Sequence, residues 1–131
     1  KNIMQKNFTQ WNNLKQKIHI TGKCKFYHAR EIWWCALGVN VGHEQDGSGE
    51  EYRRPVLVLK GFGEETCLVV PLTTSAQKHP LRPSIGAVDG KEAHALLSQI
   101  RVIDTRRLVR KIGYLEKDMF ETIRKAARDM L

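Results

Sequence analysis

The sequence predicts a mainly β fold: a small, strongly bent antiparallel barrel with a helix at each end. Three observations favour it. Several short apolar runs, rich in β-branched and aromatic residues, are separated by turns that contain glycine. Helical spacing of apolar residues is confined to the two ends of the chain. The length of 131 residues suits one domain with its own core, and closing the sheet protects the edges of so small a β domain.

Helical spacing marks both ends of the chain. An N-terminal helix is predicted over residues 4–20, where apolar residues recur every three or four positions: Phe8, Trp11, Leu14 and Ile18. Gly22 is well placed to end it. A C-terminal helix is predicted over residues 116–131, with this apolar stripe: Met119, Phe120, Ile123, Ala126, Ala127 and Met130. We expect residues 1–30 to form a helical extension and linker on a main domain of residues 31–131.

The middle of the chain is predicted to form short strands. They lie at residues 31–38, 55–63, 66–73, 93–104 and 110–115, with a weak strand near 85–88 and a helical turn at 105–108. Pro71 interrupts one of these strands, and because proline cannot donate to a neighbouring strand, we expect an edge or a bulge there. The long loop at residues 39–52 is rich in glycine, and long ordered loops are often functional.

A hairpin of the two central strands would bring two kinds of polar group together. Arg54 stands at the start of the first strand, and the hydroxyl cluster of residues 73–75 follows from the end of the second. A guanidinium beside a hydroxyl, under the glycine-rich loop, is suited to bind a phosphate. The alternative is a surface salt bridge of Arg54 with Glu50 or Glu51.

The chain carries a large positive charge. Its 22 lysines and arginines outnumber its 14 acidic residues, which gives a net charge of +8 and a pI near 9.6. Such a surplus attracts polyanions such as nucleic acids, although solubility alone is served by a net charge of about 2–8. No apolar run approaches the ~20 residues that span a bilayer, and the N-terminal segment has no signal-peptide pattern. We therefore expect no membrane partner.

The cysteines indicate a reducing compartment. Cys24, Cys35 and Cys67 cannot all pair with one another, which favours a cytoplasmic protein with buried thiols over a disulfide framework. Cys24 and His28 have the spacing of half a zinc site, but no second pair of ligands completes it. No metal or other cofactor is expected.

Four blocks of the sequence resemble, in order, the MazF/PemK (Kid-like) toxins: REIWWCALGVNVGHEQDG, RRPVLVL, VVPLTTS and LLSQIRVIDTRRLVRKIGYL. The resemblance covers about residues 31–131 and implies an SH3-like antiparallel barrel of the PemK/CcdB type with a C-terminal helix. It implies a homodimeric toxin of a type II toxin–antitoxin system. An acidic, partly disordered antitoxin holds such toxins inactive, and the complex with it is a possible partner of operator DNA.

The resemblance also implies an activity, that of a sequence-specific, metal-independent endoribonuclease, or mRNA interferase. In such enzymes the 2′-OH of single-stranded RNA attacks the adjacent phosphate. The products are a 2′,3′-cyclic phosphate and a 5′-OH.

The resemblance assigns the catalytic groups. Arg54, directly before the proline of R-P-V-L-V, and Thr73, at the end of the returning strand, match the catalytic arginine and threonine, with Thr74 as a one-residue alternative. The phosphorane gains negative charge on its equatorial oxygens, so a fixed guanidinium stabilises it more than the substrate. The proton acceptor stays open among three groups. Glu44 could take the 2′-OH proton, the imidazole of His43 is the second candidate, and an arginine is a poor base because its pKa exceeds ~12.

The other matched segments are implied to bind RNA. Residues 42–45 match a G-[S/N]-E-Q motif and depart from it at His43, where a small polar residue is usual; residues 98–101 match an S/E-Q-I-R element. The implied RNA-binding set is Gly42, His43, Gln45, Thr74, Ser98, Gln99 and Arg101. A basic run either follows the RNA backbone or forms a solvated face that pairs with Asp104 and Glu116. Its members are Arg101, Arg106, Arg107, Arg110 and Lys111.

Two other functions are open at the level of the sequence. A catalytically silent module of the same fold would hold RNA or an acidic antitoxin, and a gyrase poison of the CcdB type shares the fold. Neither function requires Arg54 next to Thr73. Their joint presence favours the enzyme.

Overall fold

The computed structural model describes residues 5–49, 51–75 and 79–131. Two α-helices are found in these ranges, α1 (Phe8–Thr21) and α2 (Lys117–Met130). Between them lie the strands β1 (Glu31–Ala36), β2 (Arg53–Gly61), β3 (Thr66–Thr73), β4 (Ser84–Val88), β5 (Lys91–Ala95), β6 (Arg101–Asp104) and β7 (Leu108–Tyr114). Two short 3₁₀ turns, Leu97–Gln99 and Thr105–Arg107, flank β6. In the part of the chain described, neither helix is long and apolar enough to cross a membrane.

The strands form one antiparallel sheet that branches at β3. The order is β4–β5–β3–β2–β1–β7, and β6 also pairs with β3. Along one edge β3 pairs with β2, while its other edge pairs with β6 through residues 66–69 and with β5 through residues 72–73. Because two strands share this edge, the sheet curls into a half-barrel. The predicted fold class is confirmed.

The core has two parts, one on each face of β2. Val56 and Val58 enter one apolar cluster, while Leu57 and Leu59 enter the other, and all four are buried. Two-sided burial explains why β2 is a continuous apolar run without alternation. Helix α2 covers the second of these clusters with the buried side chains of Phe120 and Ile123.

Helix α1 is seated on the outside of the sheet. It begins at Phe8, later than predicted, after Asn7 caps it by accepting a hydrogen bond from the backbone N–H of Gln10 at 2.9 Å. Residue 4, the first of the predicted helix, lies outside the described residues. Trp11 packs in a third cluster with Ala36 and Tyr52. The Trp11 ring lies so close to Gly38 that a Cβ there would stand 2.0 Å from it.

The predicted strand at residues 93–104 is wrong. The chain forms β5, leaves the sheet at the 3₁₀ turn Leu97–Gln99, and returns as β6 further along the same edge of β3. Directly before the turn, the backbone N–H of Leu96 still bonds to β3 by donating to the Pro71 carbonyl at 2.9 Å. The weak strand near 85–88 is β4, and it pairs with β5 as a hairpin. An Asp89-Gly90 turn with two positive φ angles joins the two, a signal that the sequence carried.

Pro71 lies neither at an edge nor at a bulge. It is paired with Val56 in the middle of the sheet, and the register shift between β2 and β3 falls elsewhere, between Val58 and Lys60. On its other side Pro71 falls between the residues that pair with β6 and those that pair with β5. No strand needs its missing N–H at that point, so the proline is tolerated.

Candidate active site

Arg54 and Thr73 meet at the end of the central hairpin. The pairing of β2 with β3 ends at Val56 and Pro71, and Arg54 and Thr73 lie two residues beyond it on the same two strands. Both residues line an open cleft of about 300 Å³, the first cleft. Its other lining residues are Trp34, Ser48, Pro55, Leu72, Thr74, Val88, Asp89, Lys91 and Ala93. The structure therefore brings together the guanidinium and the hydroxyls that the sequence predicted to be close.

The Arg54 guanidinium is held by two backbone carbonyls. Its Nε donates to the Asp46 carbonyl at 2.7 Å, and its Nη1 donates to the Leu72 carbonyl at 3.1 Å. Burial lowers the pKa of Arg54, and the Asp46 carboxylate opposes that effect. A guanidinium has five N–H donors, so these two bonds orient the group and leave others for an anion. Glu51 pairs with Arg53 instead of Arg54, and Glu50 lies outside the described residues.

Thr73 has a hydroxyl that is positioned by the backbone. Its Oγ1 accepts a hydrogen bond from the Ser75 N–H at 3.1 Å. A hydroxyl that accepts in this way can still donate its own hydrogen. The neighbouring Thr74 is exposed at the same cleft. Both threonines can therefore offer hydrogen-bond donors to a phosphate in the first cleft.

The other predicted residues lie mainly in a second cleft. This opening of about 480 Å³ is lined by Asn40, Glu44, Gln45, Ser98, Gln99, Ile100 and Arg101. Glu44 thus lies apart from Arg54 and Thr73, and its Oε1 accepts from the Val41 N–H at 2.9 Å. Gly42 and His43 are exposed between Val41 and Glu44, and Gly42 has a positive φ of 54°.

The two clefts are joined by one carbonyl group. The Gln99 Oε1 accepts from the Gln45 N–H at 3.1 Å, and the Gln45 Nε2 donates to the Asp46 carbonyl at 3.0 Å. The same carbonyl accepts from Arg54 Nε. A hydrogen-bonded path therefore runs from Gln99 in the second cleft, through Gln45 and the Asp46 carbonyl, to the guanidinium of Arg54 in the first cleft.

Trp34 is a site residue that the sequence reasoning missed. It was predicted as part of a buried strand, but it lines the first cleft opposite Pro55. Its indole N–H is buried and has no hydrogen-bond partner among the described residues. Such a group is rare in folded proteins, and it can donate to a ligand in the cleft. The sequence carried no signal for it, because Trp34 lies within a continuous apolar run, whereas in the structure it is less buried than its neighbours Trp33 and Cys35.

The predicted basic run is divided between structural and accessible positions. Arg106 binds Asp104 at 2.8 Å, and its hydrogen bonds lower the pKa of that carboxyl to about 2. Arg107 is largely buried and donates to the Ala36 carbonyl at 3.2 Å. Lys111 lies 3.5 Å from Glu31. Arg101 is the member of the run that lines the second cleft.

Comparison with known proteins identifies the family. Residues 28–131 match the model of the PemK-like, MazF-like toxin of type II toxin–antitoxin systems. Endoribonuclease EndoA of Bacillus subtilis (strain 168) is 33% identical over 106 residues, which are 73% of this chain and 86% of that protein. The structure also resembles two solved structures from Deinococcus radiodurans. MazF (Form-I) has a TM-score of 0.66 at 24% identity, covering 81% of this chain and 96% of that one. MazF in the MazE-MazF structure (Form-II) has a TM-score of 0.62 at 19% identity, covering 81% and 95%.

These matches confirm the resemblance that the four sequence blocks carried. The family model spans most of the chain, and EndoA is similar over most of both lengths. The chain belongs to the PemK-like, MazF-like family of toxins of type II toxin–antitoxin systems.

Proposed function

We propose that this toxin is a sequence-specific, metal-independent endoribonuclease that cleaves single-stranded RNA. The observation that carries the proposal is the first cleft, which is lined by both a carbonyl-oriented guanidinium, Arg54, and a positioned hydroxyl, Thr73. The similarity to a protein named as an endoribonuclease supports the same activity. A module that only binds RNA has no need for this pair.

The reaction is a transesterification within the RNA. The 2′-OH attacks the adjacent phosphorus, the bond to the 5′ oxygen breaks, and that oxygen takes up a proton. Arg54 stabilises the charge that develops on the equatorial oxygens of the phosphorane, and Thr73 donates a hydrogen bond to them. Because both are fixed before the substrate arrives, they do not have to reorganise during the reaction. Loss of one such donor costs about 3–4 kcal/mol of transition-state stabilisation.

The second cleft supplies recognition in this proposal. Gln45, Ser98, Gln99 and Arg101 contact the nucleotides that flank the scissile phosphate, with Gly42, His43 and Thr74 beside them. Glu44 is the proposed proton acceptor, and because it lines the second cleft, RNA must lie across both clefts to bring a 2′-OH towards it. His43, exposed on the same loop, is the other candidate for this role.

The proposed partners follow from the family. A solved relative of the same fold forms a MazE-MazF complex. We propose that this toxin likewise acts as a homodimer and is held inactive by an acidic, partly disordered antitoxin. In that complex it would contribute to operator DNA binding. We propose the cytoplasm, where mRNA is translated, as its place of action. We also propose that residues 1–30 are an extension to a toxin domain of residues 31–131.

The test is cleavage of a long RNA by the purified protein in EDTA, followed by mapping of the RNA ends. We expect 2′,3′-cyclic phosphate and 5′-OH ends at a short recurring sequence. Arg54→Ala should abolish them, while Arg53→Ala, which changes the neighbouring arginine paired with Glu51, should not. Tight binding of RNA that stays intact would favour a silent module instead. Trapping of cleaved DNA on gyrase would favour a gyrase poison.

A further inference from the structure

The N-terminal segment contacts the active-site loop although it lies outside the part of the chain that matches the family. The family model begins at residue 28, whereas Lys6 reaches the loop of residues 39–47, here called the site loop. We propose that Lys6 is a positioning residue: it fixes the site loop so that the Asp46 carbonyl holds Arg54 in its reactive orientation. This inference rests on the proposed RNA cleavage.

All three hydrogens of the Lys6 ammonium can be assigned to the site loop. Its Nζ lies 2.5 Å from the Asn40 carbonyl, 2.8 Å from the Gly42 carbonyl and 3.0 Å from Asp46 Oδ2. The Lys6 side chain is only 8% exposed. An ammonium is rarely withdrawn from water unless it is paired and hydrogen-bonded. Its complete set of partners in one loop therefore indicates a built contact, because a surface lysine would keep its charge in solvent.

Asp46 transmits this contact to Arg54. Its carboxylate pairs with Lys6 Nζ, which lies 3.0 Å from Oδ2 and donates to Oδ1 at 3.3 Å, and Oδ1 also accepts the Asn40 N–H at 2.7 Å. Its backbone carbonyl accepts from both Arg54 Nε and Gln45 Nε2. Asp46 thus links Lys6 to the guanidinium of Arg54 in the first cleft and to Gln45 in the second cleft. Movement of the Asp46 peptide displaces Arg54, whereas Gln45 is also held by its N–H bond to Gln99.

Helix α1 gives Lys6 a rigid base. Trp11 is buried against Tyr52 with ring centroids 5.7 Å apart, and the Tyr52 hydroxyl donates to Gln10 Oε1 at 2.9 Å. The guanidinium of Arg107 lies 5.7 Å from the centroid of the Trp11 ring. Gly38 lies directly under that ring. Helix α1 therefore packs against Gly38, directly before the site loop, and against Tyr52, five residues after it. Lys6 binds the loop between these two contacts.

A positioning role and a purely stabilising role make different predictions. A stabilising contact affects the folded fraction and leaves the turnover of folded molecules unchanged. Misplacement of Arg54 instead lowers kcat, because small displacements of a catalytic group are costly, while the ground-state contacts that set KM are kept. Loss of the contact also frees the amides of the site loop to exchange their hydrogens faster.

The experiment compares full-length Lys6→Met and Asp46→Asn with the wild type and with Lys17→Met. Lys17 is an exposed lysine of α1 and serves as the matched control for loss of one positive charge. We expect Lys6→Met to lower kcat about tenfold with KM within about twofold. Its amides at residues 40–46 should exchange at least tenfold faster, with β3 unaffected. Asp46→Asn should give the same pattern, and the double variant should lose no more than Lys6→Met alone.

Three results would overturn the inference: unchanged exchange in the site loop of Lys6→Met, unchanged kcat of its folded fraction, or independent effects of the two substitutions. If Lys6→Met folds poorly, Asp46→Asn tests the same ion pair by kcat and hydrogen exchange while the lysine is retained. Hydrogen exchange does not depend on RNA cleavage. A wild type that cleaves no RNA would therefore overturn the proposed function, and exchange would still decide whether Lys6 orders the loop.

Discussion

The two clefts meet at one carbonyl but are built from different kinds of structure. The first cleft lies at the ends of β2 and β3, where the pairing of two central strands brings Arg54 and Thr73 to the same cleft. The second cleft lies between the site loop and the 3₁₀ turn Leu97–Gln99, and side-chain to backbone hydrogen bonds hold it together. Paired strands fix a side chain more precisely than loops do. We therefore propose that the first cleft stabilises the transition state, whereas the second cleft selects the RNA sequence and supplies Glu44 as the proton acceptor.

The largest effect should come from Arg54. Arg54→Lys keeps the positive charge but loses the planar fork that binds two carbonyls and a phosphate together. We expect kcat to fall by about 10²–10³, with RNA affinity nearly unchanged. Single-turnover cleavage and a separate RNA-binding titration measure the two quantities. A large loss of affinity with normal kcat would reverse the roles of the two clefts.

Thr73 should have the next largest effect. Thr73→Val keeps the shape of the side chain and removes the hydroxyl, and we expect a loss of about 10²-fold in kcat. Thr73→Ser keeps the hydroxyl and should retain most of the activity. The same pair of substitutions at Thr74 tests the one-residue alternative. If Thr74→Val proves the more damaging, the catalytic hydroxyl is the exposed one.

A change in the second cleft should alter binding more than chemistry. Arg101→Gln removes a cation beside Gln99 and should weaken RNA affinity about tenfold, with kcat within about threefold. The slope of log affinity against log salt should become shallower by about 0.7, the value for one lost contact to a single strand. Titrations at several salt concentrations test this. An unchanged slope would mean that Arg101 does not contact a phosphate.

The smallest effect should come from a pair outside both clefts. Hydrogen bonds from Arg106 lower the pKa of Asp104 to about 2 from an ordinary value of 3.8. The pair therefore stabilises the fold above about pH 4, and this contribution is lost as the pH falls from about 4 through 2. Because the two side chains are 30% and 35% exposed, solvent screens the pair, so the effect is small and weakens with salt. The Tm of Asp104→Asn should lie slightly below that of the wild type at pH 7 and approach it near pH 2.

Local sequence signals predicted the first cleft better than the second. The apolar runs on either side of the Gly61–Gly63 turn predicted β2 and β3, and pairing them was enough to bring Arg54 near Thr73. The second cleft depends on Gln99, which lies in a 3₁₀ turn where the sequence predicted a strand. The adjacent polar residues Ser98 and Gln99 interrupt the apolar alternation there, but so short an interruption does not distinguish a turn from a bulge within one strand.

The contact between Lys6 and Asp46 could not be predicted from local patterns. Forty positions separate the two residues, and a lysine before a helix ordinarily lies in solvent. The burial of Lys6 depends on where α1 packs on the sheet. That position depends in turn on the contact of the Trp11 ring with Gly38. Only a long-range packing arrangement determines this, and no periodicity records it.

The seat of α1 also has a consequence for how the toxin is made. The ribosome releases the chain from its N-terminus, so Trp11 emerges well before its neighbours Tyr52 and Arg107. Until those residues are synthesised, Trp11 cannot be buried against them, and α1 cannot place Lys6 beside Asp46. The packing of α1 on the sheet is therefore complete only after Tyr52 and Arg107 have left the ribosome.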